Sequence, residues 1–197
     1  MKFAKVAVFI ASLVPLAILA WSAYSNALGA NPIEAIQIQT GLWSLRFLAL
    51  SLAISPLRKL TGWNTIIRYR RTFGLFAFFY ATVHLLNYVA LDMYFNISDI
   101  VEDVAKHLYV TVGVATWLVL IPLVATSTKS SIRRLGGRRW NRLHQLAYVA
   151  AVGGTVHYLW AVKKDTLYPV LYVALFAVLL GYRVLLWLKK RRQLKTA

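Results

Sequence analysis

Six apolar runs punctuate the chain, near 6–25, 42–57, 72–91, 108–126, 143–162 and 167–188. Most approach 20 residues, the length an α-helix needs to cross about 30 Å of hydrocarbon. None shows the apolar–polar alternation of a spanning strand of about 9–11 residues. A helix satisfies its own backbone hydrogen bonds in lipid, so helices follow. The pattern predicts an all-α integral membrane protein, a six-transmembrane-helix bundle formed by residues 1–197 as a single domain.

The connecting segments differ in sign. Lys2 and Lys5, then Arg58, Lys59, Arg68, Arg70 and Arg71, then Lys129, Arg133, Arg134, Arg138, Arg139 and Arg142, and finally Lys189, Lys190, Arg191, Arg192 and Lys195 fall in segments without an acid. The intervening segments carry all the acids: Glu34, Asp92, Asp99, Glu102, Asp103 and Asp165. Only Lys106, Lys163 and Lys164 accompany them. Lys and Arg stay cytoplasmic during insertion, which places the N and C termini and two loops inside and the acidic loops outside. The first run is longer than a signal-peptide core of about 7–15 residues and reads as a retained anchor. The segment 127–142 reads as a short basic loop, with Gly136-Gly137 as a turn signal.

Composition agrees. Hydrophobic residues make up 59% of the 197 and charged ones 15%, against about 45–50% and 25% in soluble chains. The net charge of +17 has a topological cause, with attraction to anionic lipid of the bilayer as a secondary effect, and calls for no nucleic acid. The chain has no cysteine, which excludes disulfides, iron–sulfur clusters, thiol catalysis and covalent haem attachment through C-x-x-C-H. No phosphate loop or dinucleotide fingerprint occurs.

Ionisable residues within membrane helices point to function by default. His84 lies 13 residues past Arg71 and His157 lies 15 past Arg142, about 20 and 22 Å along helices that run in the same direction. Two imidazoles at matched depth suit the axial positions of a b-type haem, and bundle cores hold such cofactors between facing helices. Zinc would need a third or fourth His, Cys or carboxylate ligand at that depth. The aromatics nearby, among them Phe76, Tyr80, Tyr88 and Trp160, suit a porphyrin face or ordinary packing equally.

His144, 13 residues before His157, falls about a quarter turn short of the same helix face, a mismatch that a distortion at Gly153-Gly154 would correct. Its counterpart positions on the third helix are Arg70 and Arg71, so no second bis-histidine site exists. A second haem with one protein ligand, a flavin contact, a quinone contact and an interfacial hydrogen bond all stand open for it. His107 reads as a surface residue. Arg46 and Arg183 lie within helices, where snorkelling competes with pairing to a cofactor's carboxylates or phosphate. Arg138, Arg139, Trp140 and Arg142, beside Arg68, Arg70 and Arg71, form a basic aromatic cluster suited to the phosphate and ring of flavin mononucleotide (FMN), or a simple positive-inside signal.

Four stretches carry a family resemblance: TGLWSLRFLALSLAISPLRKLTGW (40–63), RRTFGLFAFFYATVHLLNYVALD (70–92), KHLYVTVG (106–113) and RRLGGRRWNRLHQLAYVAAVGGTVHYLW (133–160). In order and spacing the chain resembles the MsrQ (YedZ) family, the haem-binding membrane subunits of the bacterial periplasmic methionine sulfoxide reductase system, within the ferric-reductase-like transmembrane group. The resemblance implies an electron conduit in the bacterial inner membrane. A cytoplasmic flavin reductase or the quinone pool would be the donor, and the periplasmic molybdopterin enzyme MsrP the acceptor. It maps the family's functional histidines onto His84, His144 and His157, and implies haem b, with FMN as a second cofactor in place of a second ordinary haem. The alternatives are a stand-alone reductase of ferric iron or another small acceptor, and a non-redox transporter or scaffold. The acidic loop with Asp99, Glu102 and Asp103 is either a docking surface for the partner or a solvated loop.

Overall fold

The computed structural model describes residues 2–193; Lys195 of the basic C-terminal set lies outside them. Every regular element among the described residues is helical. Among the described residues, five stretches are long and apolar enough to cross a membrane: Phe3–Tyr24, Pro32–Thr61, Asn64–Asp92, Leu108–Ala125 and Leu167–Gln193. They contain the helices α1 (Lys2–Tyr24), α2 (Pro32–Thr61) and α3 (Arg70–Asn87). α4 (Ile97–Lys106) then lies between spans, and α5 (Leu108–Ala125) follows. Next come α6 (Lys129–Leu143), the apolar α7 (Leu146–Ala161) and α8 (Leu167–Gln193). With 16 residues, α7 is about 24 Å long.

The second helix starts ten residues earlier than the apolar run at 42–57 suggests. Asn31 caps it: its side-chain oxygen accepts the Glu34 N–H at 3.2 Å, and Pro32 occupies the first turn, where a missing N–H costs nothing. Gly62 ends it in the left-handed region (φ 71°), with its N–H on the Arg58 carbonyl at 3.0 Å. The extra turns matter, because they bring Gln37 and Gly41 to the site described below.

Distant side chains enter the helix backbone near two prolines inside spans. Pro56 has no N–H for the Leu52 carbonyl. Arg183 of α8 fills the gap, donating from Nη2 to that oxygen at 2.6 Å and from Nη1 to the Leu179 carbonyl at 3.0 Å. Arg183 thus uses both terminal guanidinium nitrogens on backbone carbonyls. Near Pro15, the hydroxyl of the fully buried Tyr80 enters the backbone ladder of α1. It accepts from the Leu16 N–H at 3.2 Å and donates to the Ser12 carbonyl at 2.9 Å, an insertion of the kind that bends helices.

The core lies between α2, α3, α5, α7 and α8, around Leu48, Leu52, Phe76, Ala77, Leu120, Ala150 and Phe176. Small residues bring backbones together, as is usual where lipid removes the hydrophobic drive between helices. Ser44 and Ser51 donate to the Ala77 and Arg70 carbonyls at 2.9 and 3.0 Å. A Cβ on Gly153 would stand 2.3 Å from Thr116 Oγ1.

Three local expectations need correction. The basic segment 127–142 is helical over most of its length, with a break at Gly136 (φ 72°, ψ 150°) where the turn signal stood. His144 caps α6 and precedes α7, so spacing along one helix does not relate it to His157. Gly153 and Gly154 serve close packing against Thr116 and Leu45 and leave α7 unbroken.

Candidate functional site

His84 and His157 face each other within the bundle, ring centres 5.9 Å apart and planes at 85°. Each ring is seated in the same way on a neighbouring helix. His84 lies against Gly41 of α2, where a Cβ would come within 3.1 Å of its ring, and its Nδ1 donates to the Gln37 carbonyl at 2.9 Å. His157 lies against Gly113 of α5, where a Cβ would come within 2.7 Å, and its Nδ1 donates to the Tyr109 carbonyl at 2.6 Å. In both cases the carbonyl precedes the glycine by four residues, one helical turn. A carbonyl only accepts, so Nδ1 carries the proton and Nε2 keeps its lone pair. Such a bond fixes tautomer and ring direction in metal-ligating histidines.

Both rings line one cavity of about 740 Å³, within the usual range of about 300–1,000 Å³ for ligand sites. Its inner wall is apolar, with Leu45, Leu48, Val114, Trp117, Leu120 and Ala150. Its open end is ionic, with Glu34, Asp92, Asp103, Lys163, Lys164 and Asp165. Tyr88, in the π-helical turn Tyr88–Asp92 that follows α3, donates to Asp103 at 2.7 Å, and the other Asp103 oxygen takes His107 Nδ1 at 2.7 Å. His107 is thus a half-exposed surface residue that helps hold α4 over the cavity mouth.

The donor set fits a haem. Two imidazoles keep unprotonated Nε2 atoms, the glycine cradles hold both rings in place, the walls are apolar, and two lysines stand at the polar mouth where carboxylates can reach water. The described residues hold no cluster of three or more His, Cys, Asp or Glu side chains able to bind a metal ion, so a zinc site has no support. The Gln37 amide donates to His84 Nε2 at 3.3 Å and gives up that contact if the nitrogen takes a metal.

The other candidates stand apart from this cavity. Arg46 lies in a groove between α2 and α8, over the Trp43 ring at 4.6 Å and donating to the Tyr172 hydroxyl at 3.2 Å. The lysines, not Arg46, are the cations at the cavity mouth. At the basic end, Trp140 stacks on His144 with ring centres 3.8 Å apart and donates to the Thr126 carbonyl at 2.9 Å. Thr126 gives its hydroxyl proton to the Pro122 carbonyl at 2.6 Å, so its oxygen accepts from His144 Nε2 at 3.0 Å. Burial, and then the nearby Arg70, hold the His144 pKa below its ordinary value. Arg70 itself reaches Ser55 at 3.4 Å, while Arg71, Arg138, Arg139 and Arg142 are exposed.

Sequence reasoning missed Gln37, Gly41, Tyr109, Gly113, Lys163 and Lys164. A glycine in an apolar helix signals a close approach, and Gly41 and Gly113 carried that signal unread. The lysines were counted only as loop charge.

The helical membrane fold belongs to a class that comparison identifies independently: residues 40–155 match the family described as ferric reductase like transmembrane component. Within that class, a protein-methionine-sulfoxide reductase heme-binding subunit MsrQ of Xanthomonas euvesicatoria pv. vesicatoria is 48% identical over 195 residues, covering 96% of this chain and 89% of the relative. The MsrQ of Xanthomonas axonopodis pv. citri is 48% identical over 200 residues, covering 98% and 90%. That of Azospira oryzae is 46% identical over 181 residues, covering 91% and 78%. The chain belongs to the MsrQ family of ferric-reductase-like transmembrane proteins.

Proposed function

We propose that this chain is a b-type cytochrome of the bacterial inner membrane. It passes electrons from the cytoplasmic side, from a flavin reductase or the quinone pool, to the periplasmic methionine sulfoxide reductase MsrP for repair of oxidised proteins. The observation that carries the reading is the pair His84 and His157, each pinned through Nδ1 to a backbone carbonyl and both lining one largely apolar cavity. The names of the relatives, heme-binding subunits of a protein-methionine-sulfoxide reductase, support the same role.

α7 crosses the bilayer as the sixth span, paired along its length with α5, and both termini face the cytoplasm as the basic segments require. A haem supplies a one-electron carrier that needs no proton donor of its own. His84 and His157 would hold its iron, and the backbone carbonyls of Gln37 and Tyr109 keep the proton on Nδ1 and Nε2 open for that role. Leu45, Leu48 and Leu120 exclude water, and Lys163 and Lys164 neutralise carboxylates at the mouth. That mouth opens on the acidic side, so the exit for electrons faces the periplasmic partner. Trp140, His144 and the arginines at 70, 71, 138, 139 and 142 form the cytoplasmic approach for the donor, FMN or quinone. The sulfoxide chemistry belongs to the partner.

The test is electron delivery in reconstituted vesicles. With a reductant on the basic side, the partner on the acidic side should be reduced by the native chain. His84→Ala and His157→Ala should cut the rate at least a hundredfold. Unchanged delivery by either variant would refute the proposal.

A further inference from the structure

We infer that α4 lies in the membrane interface on the acidic side, with one flank inserted among lipid headgroups and upper acyl chains. Ile97, Val101 and Ala105 fall on one flank at helical spacing, while Asp99, Glu102 and Lys106 fall on the other. The helix packs inward through neither flank: Ile100, Asp103 and Val104 are its partly buried positions, and Asp103 ties it to Tyr88 and His107. The apolar flank is thus left without a protein partner, with Ile97 and Val101 69% and 63% exposed.

Three observations name lipid as the occupant. First, α4 is ten residues long and is strung between the spans Asn64–Asp92 and Leu108–Ala125, which confines it to the membrane surface. Second, α5 opens immediately after α4 on another outward apolar residue, Leu108 at 68% exposure, in a span whose own surface faces acyl chains. Third, the turn leading into α4 holds Tyr94 and Phe95 at φ 48° and 58°, a backbone region unfavourable for aromatic residues, and displays both rings at 76% and 64% exposure. Tyr is enriched at headgroup level, where an aromatic body meets a wet edge, and a strained turn that throws two rings outward is explained by such a setting. An amphipathic helix with one apolar flank lies in the interface plane. Lipid on one side and the Asp103 tie on the other then fix α4 as a roof over the cavity mouth, with Asp99 and Glu102 facing water.

The absence of cysteine makes the test direct. Val101→Cys, Ala105→Cys and Glu102→Cys are spin-labelled singly in the full chain, in bilayers of phosphatidylethanolamine and phosphatidylglycerol. Collision with oxygen, which partitions into lipid, is compared with collision with a water-soluble nickel chelate. Labels at 101 and 105 should favour oxygen and the label at 102 should favour nickel, with accessibility ratios at least threefold apart. Equal nickel access at 101, 105 and 102 would overturn the inference. So would nickel access at 101 that vanishes only when the periplasmic partner is added, because the flank would then be a protein-docking face. Neither readout depends on haem, so failure here is distinct from failure of the proposed function.

Discussion

The two ends of the bundle hold histidine in opposite ways. In the cavity, His84 and His157 donate from Nδ1 to backbone carbonyls and line one largely apolar space. At the basic end, His144 donates from Nε2 to Thr126 and lies flat on Trp140. The first arrangement leaves the Nε2 lone pair unprotonated, as a metal ligand requires, with a 3.3 Å amide contact from Gln37 on His84. The second puts the proton on Nε2. Three histidines of one chain therefore divide into a facing pair that lines a cavity and one that is hydrogen-bonded and stacked on a tryptophan, although nothing in residue type separates them.

Breaking the ligating pair should give the largest effect. His84→Ala or His157→Ala should lower haem content per purified chain at least tenfold, measured by iron and pyridine haemochrome, whereas His144→Ala should change it by less than a third. Comparable loss in all three variants would erase the contrast.

The glycine cradles sharpen it. A Cβ at position 113 would lie 2.7 Å from His157, and one at 41 would lie 3.1 Å from His84. Contact shortfalls of that size displace a ring that packing cannot easily move. Gly113→Ala should therefore shift the absorption spectrum and reduce haem content severalfold, and Gly41→Ala less so. Glycine to alanine at Gly137, which meets nothing nearby, should leave both unchanged.

A smaller effect concerns stability. Arg183→Leu strands the Leu52 carbonyl and should cost about 1–3 kcal/mol, read as a lower unfolding midpoint in detergent. Adding Pro56→Ala restores a helical N–H for that oxygen and should recover part of the loss. The smallest effect is at His144. Its pKa is lowered in the fold by burial and by Arg70, so the unfolded chain binds the proton first on acidification. The stability this ring contributes is complete above the ordinary histidine pKa and declines as pH falls from there to the lowered folded value. His144→Gln should flatten that part of the pH–stability curve.

Much of this was legible in the chain. Apolar runs separated by alternating basic and acidic segments gave the membrane-embedded helical class, and matched depth paired His84 with His157. The rest depended on contacts between distant positions. The early start of α2 followed from the Asn31 cap, outside the apolar run, and it alone brings Gln37 under His84. The partner of Arg183 is a carbonyl 131 residues away, exposed by a proline on another helix. Lys163 and Lys164 became cavity residues only when the loop after α7 folded over the mouth. Hydropathy carries the fifth run through a tight turn at His144 and Gln145, after which α7 starts at Leu146, so His144 lies ahead of that helix.

The central claim is that His84 and His157 hold one iron between them. Near-infrared magnetic circular dichroism of the oxidised protein reads axial ligands directly. The native chain should show the low-spin signature of two imidazoles, and both His84→Ala and His157→Ala should lose it while His144→Ala keeps it. A bis-imidazole signature that survives either of the first two substitutions would contradict the account.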